Sequence, residues 1–542
     1  MELLALSEVL SPTSQADATA GVFTWPVNTF LAAWVFILLV VCVYGVHRWS
    51  LVYLYYKYRK NLPKVGACFS ELPRVTIQLP MYNEQFVARR VIESTCQIDY
   101  PKDRLQIQVL DDSTDNTVQI ARDAVAAMRA RGFDIEYIHR GNRQGFKAGA
   151  LSEGLKTATG EFVAIFDADF IPPPNFLKDQ IHYFTDPQVG MVQARWEHIN
   201  RDHSLLTKTQ AILLDGHFVI EHGARNRSGR FMSFNGTAGM WRKSTIADAG
   251  GWQHDTLTED LDLSYRAQLK GWKFVFLPDI ASPAELPPEM NAFKAQQYRW
   301  AKGGAQTCKK LLPKILRSKL PWRIKAEAWF HLTSCVIYPF MVAMTILLFP
   351  ALWFKFTLFR DHLFGRVLFD ASLFAIATCS ASSFYVCCER ELSRSWSDSL
   401  KYLPFLMALG IGISLNNAIA AVQGFFGECG EFVRTPKFGV QHETDETWRR
   451  KVKFFGPKGR VQILAELLFA LYLTLCAVMC FTHAYEKVTI GIPFLFIFMV
   501  GYWYVSLNSI YGQWASARAA RAERDVQQQA PAAAVSQHPQ GD

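Results

Sequence analysis

No two cysteines in this sequence stand at a metal-ligating spacing. There is no CxxC pair, and the eleven Cys are scattered, several of them inside apolar runs. That pattern excludes a disulfide framework or a zinc module and leaves them as small core or lipid-facing residues. No GxGxxG follows a strand-like run, and no GxxxxGK followed by Ser or Thr occurs, so neither a dinucleotide fold nor a P-loop is supported. Lys and Arg are missing from residues 1–20, although acids are present there. A signal peptide needs a basic n-region and a cleavage site, so the first apolar run reads as an uncleaved anchor with its N-terminus outside. Charge is scarce overall, at 19% of 542 residues, beside 50% hydrophobic and 14% aromatic residues. Such a composition is unusual for a soluble chain. The formal charge is +9, with Lys and Arg concentrated beside apolar runs. This fits a cytoplasmic membrane face rather than nucleic acid, and no nucleic-acid module is visible.

What the chain does have is apolar segments long enough to span about 30 Å of hydrocarbon as helix. They are Phe30 to Val46, His331 to Phe354, Val367 to Cys388, Val461 to Phe481 and Val488 to Tyr511. A sixth run, Tyr402 to Phe426, breaks the parity. If it spanned, the following loop would lie outside while carrying Arg434, Lys437, Arg449, Arg450, Lys451, Lys453, Lys458 and Arg460. The positive-inside rule opposes that, and Asn416, Asn417 and Gln423 suit a helix lying in the interface. The expectation is five spans and one interfacial helix. The tail after Trp514 turns basic and then Gln-, Ala- and Pro-rich, the composition of a disordered segment.

Between the first span and the rest lie about 270 residues of ordinary soluble composition. Short β-branched runs alternate there with amphipathic stretches: "RVTIQLP" and a helix near Phe86 to Gln97, "LQIQVL" and a helix from about Asn116, "EYIH" and "GFKAGALSEGL", then "EFVAIFDAD". This is the rhythm of a largely parallel sheet with helices on both faces, whose ligands sit at the carboxyl ends of the strands. The acids fall there. Asp111 and Asp112 close one strand, and Asp167 and Asp169 close another ahead of the rigid "FIPPP". Two carboxylates flanking one small residue can hold a hard divalent cation if a nucleotide diphosphate supplies further oxygens.

Two more stretches stand out. "QQYRW", Gln296 to Trp300, reads as an amphipathic interfacial helix with snorkelling basic residues, and its Arg299 suits phosphate recognition while Trp300 offers a stacking surface for a sugar. "HFVIEH" places His217 and His222 five residues apart. A metal-binding pair on one α-helical face wants i,i+4. Spacing of five turns the second ring away from the first, so these are expected to be ordinary packed or surface histidines.

Taken in order, Asp111, the Asp167–Asp169 pair, "TED" at Thr258 to Asp260 and QxxRW at Gln296 to Trp300 resemble the motif set of processive family 2 glycosyltransferases. More closely, "QLPMYNE", "KAGAL" and "FNGTAGMWRK" look like cellulose-synthase-like mannan and glucan synthases and their bacterial relatives. "FVRTPK" is similar to the gating loop of bacterial cellulose synthase, with Phe432, Thr435 and Lys437 matching and Arg434 standing where that family has Val. The resemblance implies a Rossmann-like GT-A glycosyltransferase domain inserted in a multi-span helical membrane domain. The implied layout is an extracytoplasmic segment at 1–26, a first span with an amphipathic extension at 27–56 and the cytosolic catalytic domain at 60–287. Interfacial helices at 288–326 carry QxxRW. A channel region at 327–512 contains the interfacial helix 402–426 and a gating-like loop at 427–460, and a disordered tail follows at 515–542.

The resemblance also implies roles. Asp260 is the general base, with Thr258 and Glu259 in the same catalytic motif. Glu259 and Asp262 are expected to serve mainly in capping and solvation while orienting Asp260. Asp167 and Asp169 would hold Mg²⁺ or Mn²⁺. Lys147, Gln296 and Arg299 are phosphate contacts. Asp111 with Asp112, helped by Tyr82, Asn83 and Glu84, would meet the base or ribose. Phe234, Asn235, Gly236 and Trp300 would form the acceptor site. The expected activity is inverting transfer from a nucleotide sugar, UDP-glucose or GDP-mannose, onto a growing β-linked glycan across a bilayer, at the inner or plasma membrane. A lipid glycosyltransferase making a single transfer is the main competing reading, and a non-catalytic transporter a distant one.

Overall fold

The runs with most Val, Ile and Leu form the middle of one sheet. In this computed structural model, which describes residues 16–358, 363–392, 394–427, 430, 434–440, 457–483 and 492–529, strands β1 (Val75–Met81) and β2 (Leu105–Asp111) are buried at every position. So is β4 (Phe162–Ile165). Burial on both faces is what helices on either side of a parallel sheet demand. With β3 (Asp134–His139), β5 (Val189–His198), β6 (Gly239–Arg242) and β7 (Lys273–Ala284), the order is β3-β2-β1-β4-β6-β5-β7.

β1 pairs in parallel with both β2 and β4, and β5 pairs in parallel with β7. The expectation of a largely parallel sheet needs one correction: β6 runs antiparallel to both of its neighbours. The chain leaves β1 for β2 and β3 on one side, then returns to β4 on the other. That reversal opens the crevice above the carboxyl ends of β1 and β4, where ligands of such sheets bind. The polar residues inside these buried strands are matched in register. Thr76 donates to Gln106 at 2.8 Å and Gln78 to Gln108 at 3.0 Å, so neighbouring strands pair their buried polar side chains across the ladder.

Among the described residues four helices are long and apolar enough to cross a membrane: Thr29–Lys57, Ser334–Ala351, Gly459–Phe481 and Ile492–Ala515. The expected span at Val367 to Cys388 lies within a helix, Leu363–Glu391, that is not one of those four. The run Tyr402 to Phe426, expected as a single interfacial helix, is two helices. Trp396–Gly412 and Ser414–Phe426 meet at a bend of 43°, the shape of a broken span or a re-entrant loop. The break follows Gly412, where a Cβ would fall 2.3 Å from the Gly501 carbonyl, so the first helix presses directly on its neighbour. Beyond the break, Asn416 donates to the Lys294 carbonyl at 3.0 Å and accepts from Gln462 at 2.8 Å. The polar residues therefore bind the QxxRW helix, Met290–Arg317. Phe432, most of the loop 427–460, residues 1–15 and the tail beyond 529 lie outside the described residues.

Buried ion pairs fasten the sheet domain to the apolar helices. Lys294 meets Glu466 at 2.7 Å with both side chains nearly excluded from solvent. Arg225 reaches Glu327 at 3.0 Å, and Arg394 and Arg201 converge on Asp215. Removing one partner of such a pair leaves a buried charge uncompensated, which typically costs about 3–5 kcal/mol. Lys294→Met should therefore lower the unfolding temperature of the detergent-solubilised protein sharply, while adding Glu466→Gln should recover most of the loss. A single variant as stable as wild type would show that the pair contributes nothing.

Candidate active site

The first turn after β1, the end of β4 and the N-terminus of helix Glu259–Leu269 bring their acids together. A cavity of about 140 Å³ is lined there by Tyr82, Glu84, Asp112, Lys147, Asp167 and Asp169. Glu259, Asp260, Gln296, Arg299 and Trp300 close it from the other side, and Arg434, Thr435 and Lys437 border it as well. A second cavity, about 570 Å³, shares Asn235, Asp260, Gln296 and Trp300 with the first. It continues between the apolar helices past Leu38, Val41, Met341, Met344 and Phe498. Asp260 thus stands at the junction.

Cations match most of these acids. Lys147 Nζ lies 2.5 Å from Asp167 and donates to the Gly236 carbonyl at 2.9 Å. Burial works against its charge, but Asp167, Glu259 and Asp260 outweigh that and hold its pKa above the usual lysine value. Lys437 bonds Asp169 at 2.6 Å, and Arg434 lies 2.5 Å from Glu84. Burial nevertheless pushes the Glu84 carboxyl up to about 7. Burial likewise raises Glu259, with Asp260 adding to the shift, and raises Asp260 against the pull of Lys147. Among the described residues no group of three His, Cys, Asp or Glu forms a metal cage. Asp167 and Asp169 still supply hard oxygens, and each already holds an ammonium, so the site demands positive charge where a divalent cation would sit. The residues fit such an ion sharing its remaining positions with a diphosphate.

Asp260 is placed by close approach. Gly236 has φ +81, and a Cβ there would fall 2.9 Å from Asp260 Oδ2. Behind it, a Cβ on Gly303 of the QxxRW helix would fall 2.5 Å from Thr258 Cγ2. Thr258 itself is buried and meets the Thr307 hydroxyl at 3.1 Å. Gln296, Arg299 and Trp300 share one helical face by their i, i+3, i+4 spacing. Two lining residues of the smaller cavity have positive φ, Arg143 at 43 and Phe146 at 50, as does Asn83 at 56 beside the lining residues Tyr82 and Glu84. Such strain in non-glycine residues persists only where the surroundings impose it.

Several expected residues take other places. Asp111 is fully buried and accepts from Tyr137 at 2.6 Å and from the Ser113 amide at 2.9 Å; it does not line the donor cavity, whereas Asp112 does, paired with Arg140 at 2.8 Å. Asn83 accepts from the Thr114 amide at 2.8 Å and takes no part in the lining. Phe234 is packed against Trp241 at 5.5 Å while touching the larger cavity. Glu259 and Asp262, expected in capping and solvation, are both buried. Asp262 holds Arg266 at 2.7 Å and Lys310 at 2.8 Å instead of water, because the helix packs its acidic first turn inward.

The two histidine rings are not turned away from each other as expected, although His222 is packed and buried. Gly216–His222 is a π-helix, whose i→i+5 bonding stacks residues five apart, and the two rings lie 4.5 Å centroid to centroid. The reading also missed Glu285, whose carboxylate accepts the Phe438 and Gly439 amides at 2.9 Å each and anchors the Lys437 segment. Only its position at a strand end before Pro-Pro could have drawn attention.

Residues 73–303 match the family described as glycosyltransferase like family 2. Glucomannan 4-beta-mannosyltransferase 2 of Arabidopsis thaliana is 37% identical over 426 residues, 76% of this chain and 77% of the relative. Glucomannan 4-beta-mannosyltransferase 7 of the same plant is 32% identical over 507 residues, 89% and 87%. For glucomannan 4-beta-mannosyltransferase 1 of Oryza sativa subsp. japonica the figures are 43% over 290 residues, 53% and 54%. Among solved structures, a mannosyltransferase from Pyrobaculum calidifontis in complex with GDP-Man and Mn²⁺ superposes with a TM-score of 0.47 at 19% identity, covering 72% of this chain and 99% of its own. With a mixed GT-A-type sheet and relatives of this identity aligned along most of its length, the chain belongs to glycosyltransferase family 2.

Proposed function

We propose that this protein is a membrane-embedded inverting glycosyltransferase that builds a β-linked mannan or glucomannan from GDP-mannose. One observation carries the reading: Asp260 lies where a small acid- and cation-lined cavity meets a larger one that runs between apolar helices. The names of the plant relatives favour a mannosyl donor, and UDP-glucose is the next candidate. The catalytic domain faces the cytoplasm and the N-terminus lies outside, since the basic residues flank the first span on its C-terminal side. The product leaves through the larger cavity.

In this reading the nucleotide diphosphate enters the smaller cavity, with Lys147, Gln296 and Arg299 on its phosphates. Tyr82 and Glu84 stand toward the nucleoside, and Thr435 and Lys437 close over it. A divalent cation on Asp167 and Asp169 neutralises the departing diphosphate when bound. The acceptor sugar rests on Trp300 beside Asn235 and Gly236. Its hydroxyl lies against Asp260, which takes the proton as oxygen attacks the anomeric carbon from the face opposite the diphosphate. Glu259 keeps Asp260 in place and raises the local demand for a proton.

The aliphatic lining at Leu38, Val41, Met341 and Met344 favours a second reading, a lipid acceptor and a single transfer. Incubation with labelled GDP-mannose and UDP-glucose, followed by β-mannanase and β-glucanase digestion, separates the two. Ethanol-insoluble, mannanase-sensitive product supports the polymer, and label confined to the organic phase supports the lipid.

Three outcomes are expected. Asp260→Asn should lower transfer by about 10²–10⁴-fold, the usual loss for a positioned general base, with GDP affinity near wild type. Loss of GDP binding in that variant would move Asp260 out of the base role. Because burial raises the Asp260 pKa, the base is lost to protonation at higher pH than a free aspartate would be. The acid limb of the pH–rate profile should therefore sit above the ordinary aspartate range. EDTA should abolish transfer reversibly, with Mn²⁺ or Mg²⁺ restoring it, and undiminished turnover in EDTA would remove the metal from the reaction.

A further inference from the structure

The π turn at Gly216–His222 faces the junction of the two cavities, and its hydrogen bonds have one consistent direction. His217 Nδ1 lies 3.0 Å from Glu221 Oε2. Burial alone would raise the Glu221 pKa, but Arg225 and His217 hold it well below the usual range, so its oxygens only accept. Nδ1 of His217 therefore donates to Glu221, and Nε2 points to Asn235. Asn235 Nδ2 donates to that nitrogen at 2.9 Å. On its other side, Asn235 Oδ1 accepts from His222 Nε2 at 2.5 Å. The order is His222 to Asn235 to His217 to Glu221. A flipped carboxamide would turn its oxygen, in place of the N–H, toward His217 Nε2.

We infer that His217 and His222 form a clamp that fixes the Asn235 carboxamide in one orientation and thereby orients the acceptor sugar beside Asp260. The clamp leaves Asn235 one N–H and one oxygen lone pair uncommitted. Asn235 is only half-buried and lines both cavities together with Asp260, Gln296 and Trp300, while His217 lines the larger one alone. Its backbone is equally fixed. The Asn235 amide donates to Gln193 at 3.0 Å, and the next residue supplies the carbonyl that Lys147 holds and the Cα that faces Asp260. One donor and one acceptor so placed match the neighbouring hydroxyls of a terminal hexose, one hydroxyl being held while the other gives its proton to Asp260. The histidines are positioning residues: they act on the acceptor through Asn235.

This inference rests on the glycosyltransfer reading and deepens its acceptor site. The test uses the full chain in detergent, GDP-mannose as donor and a soluble β-1,4-linked manno-oligosaccharide as acceptor. Three quantities are read: donor hydrolysis without acceptor, GDP affinity, and transfer against acceptor concentration. His217→Ala and His222→Ala should raise the acceptor KM about tenfold, the scale of one or two lost hydrogen bonds, with hydrolysis and GDP affinity within about twofold of wild type. His217→Gln, which keeps an acceptor atom toward Asn235, should recover part of the loss. Alanine variants with wild-type acceptor KM overturn the clamp, as do variants that lose hydrolysis, GDP affinity and transfer in proportion. A wild-type chain inert toward every nucleotide sugar overturns the transfer reading and the clamp with it. An active wild type with indifferent variants overturns the clamp alone.

Discussion

Six of the seven carboxylates gathered around one crevice draw on a common set of cations, without which they cannot all stay ionised out of water. Glu84, Asp167, Asp169, Glu259, Asp260 and Glu285 meet that condition with cations from three separate parts of the chain. Lys147 comes from the helix after β3, Arg299 from the QxxRW helix, and Arg434 and Lys437 from the segment after the bent helix pair. Where compensation falls short, the proton makes up the balance, as at Glu84 near 7. The crevice is thus prepared for a ligand that is anionic at its phosphates and accompanied by a cation. The long QxxRW helix and the Lys437 segment are both held in place partly by this charge balance.

The fold was largely legible because its signals are local. Short β-branched runs followed by acids, with helical periodicity between them, predict buried parallel strands, and β1, β2 and β4 are such strands, with β2 ending in Asp111 and β4 running on to Asp167. The antiparallel β6 was not legible, since four residues of "GMWR" carry no direction. In the site, Asp167, Asp169, Asp260 and the QxxRW face border one crevice, whereas Asp111 is buried away from it. Asp262 misled because an acid at a helix start is usually solvated, and nothing local announces that Arg266 and Lys310 will close over it. The histidines misled for a sharper reason: the i,i+4 rule assumes 3.6 residues per turn, and the π turn alters the period it depends on.

The link between the crevice and the apolar helices is electrostatic as well as apolar. Lys294 lies two residues before Gln296 and pairs with Glu466 on a helix apolar enough to span, while Asn416 of the bent pair binds the Lys294 carbonyl. One stretch of the QxxRW helix is therefore held from two sides within one turn of the residues that face the donor cavity. Buried pairs of this kind give little net stability compared with apolar contacts of the same volume. They do fix register, because a slip of one turn would leave Glu466 without a partner. Register is what the proposed active site needs, since Gln296, Arg299 and Trp300 face the crevice only in this alignment.

The position of Asp260 depends less on its own hydrogen bonds than on the backbone around it. Oδ1 accepts only the adjacent Leu261 amide at 2.8 Å, while Gly236 in front and Gly303 behind Thr258 leave no room for a Cβ on either side. A side chain at either glycine would have to displace a strand-linked loop or a packed helix, and both resist because their neighbours are close-packed. The carboxylate is therefore held in place without donating or accepting much that a substrate would need to replace. Its free oxygen can meet an incoming hydroxyl at little reorganisation cost. The Asn235 carboxamide, by contrast, is held by the side chains of His217 and His222.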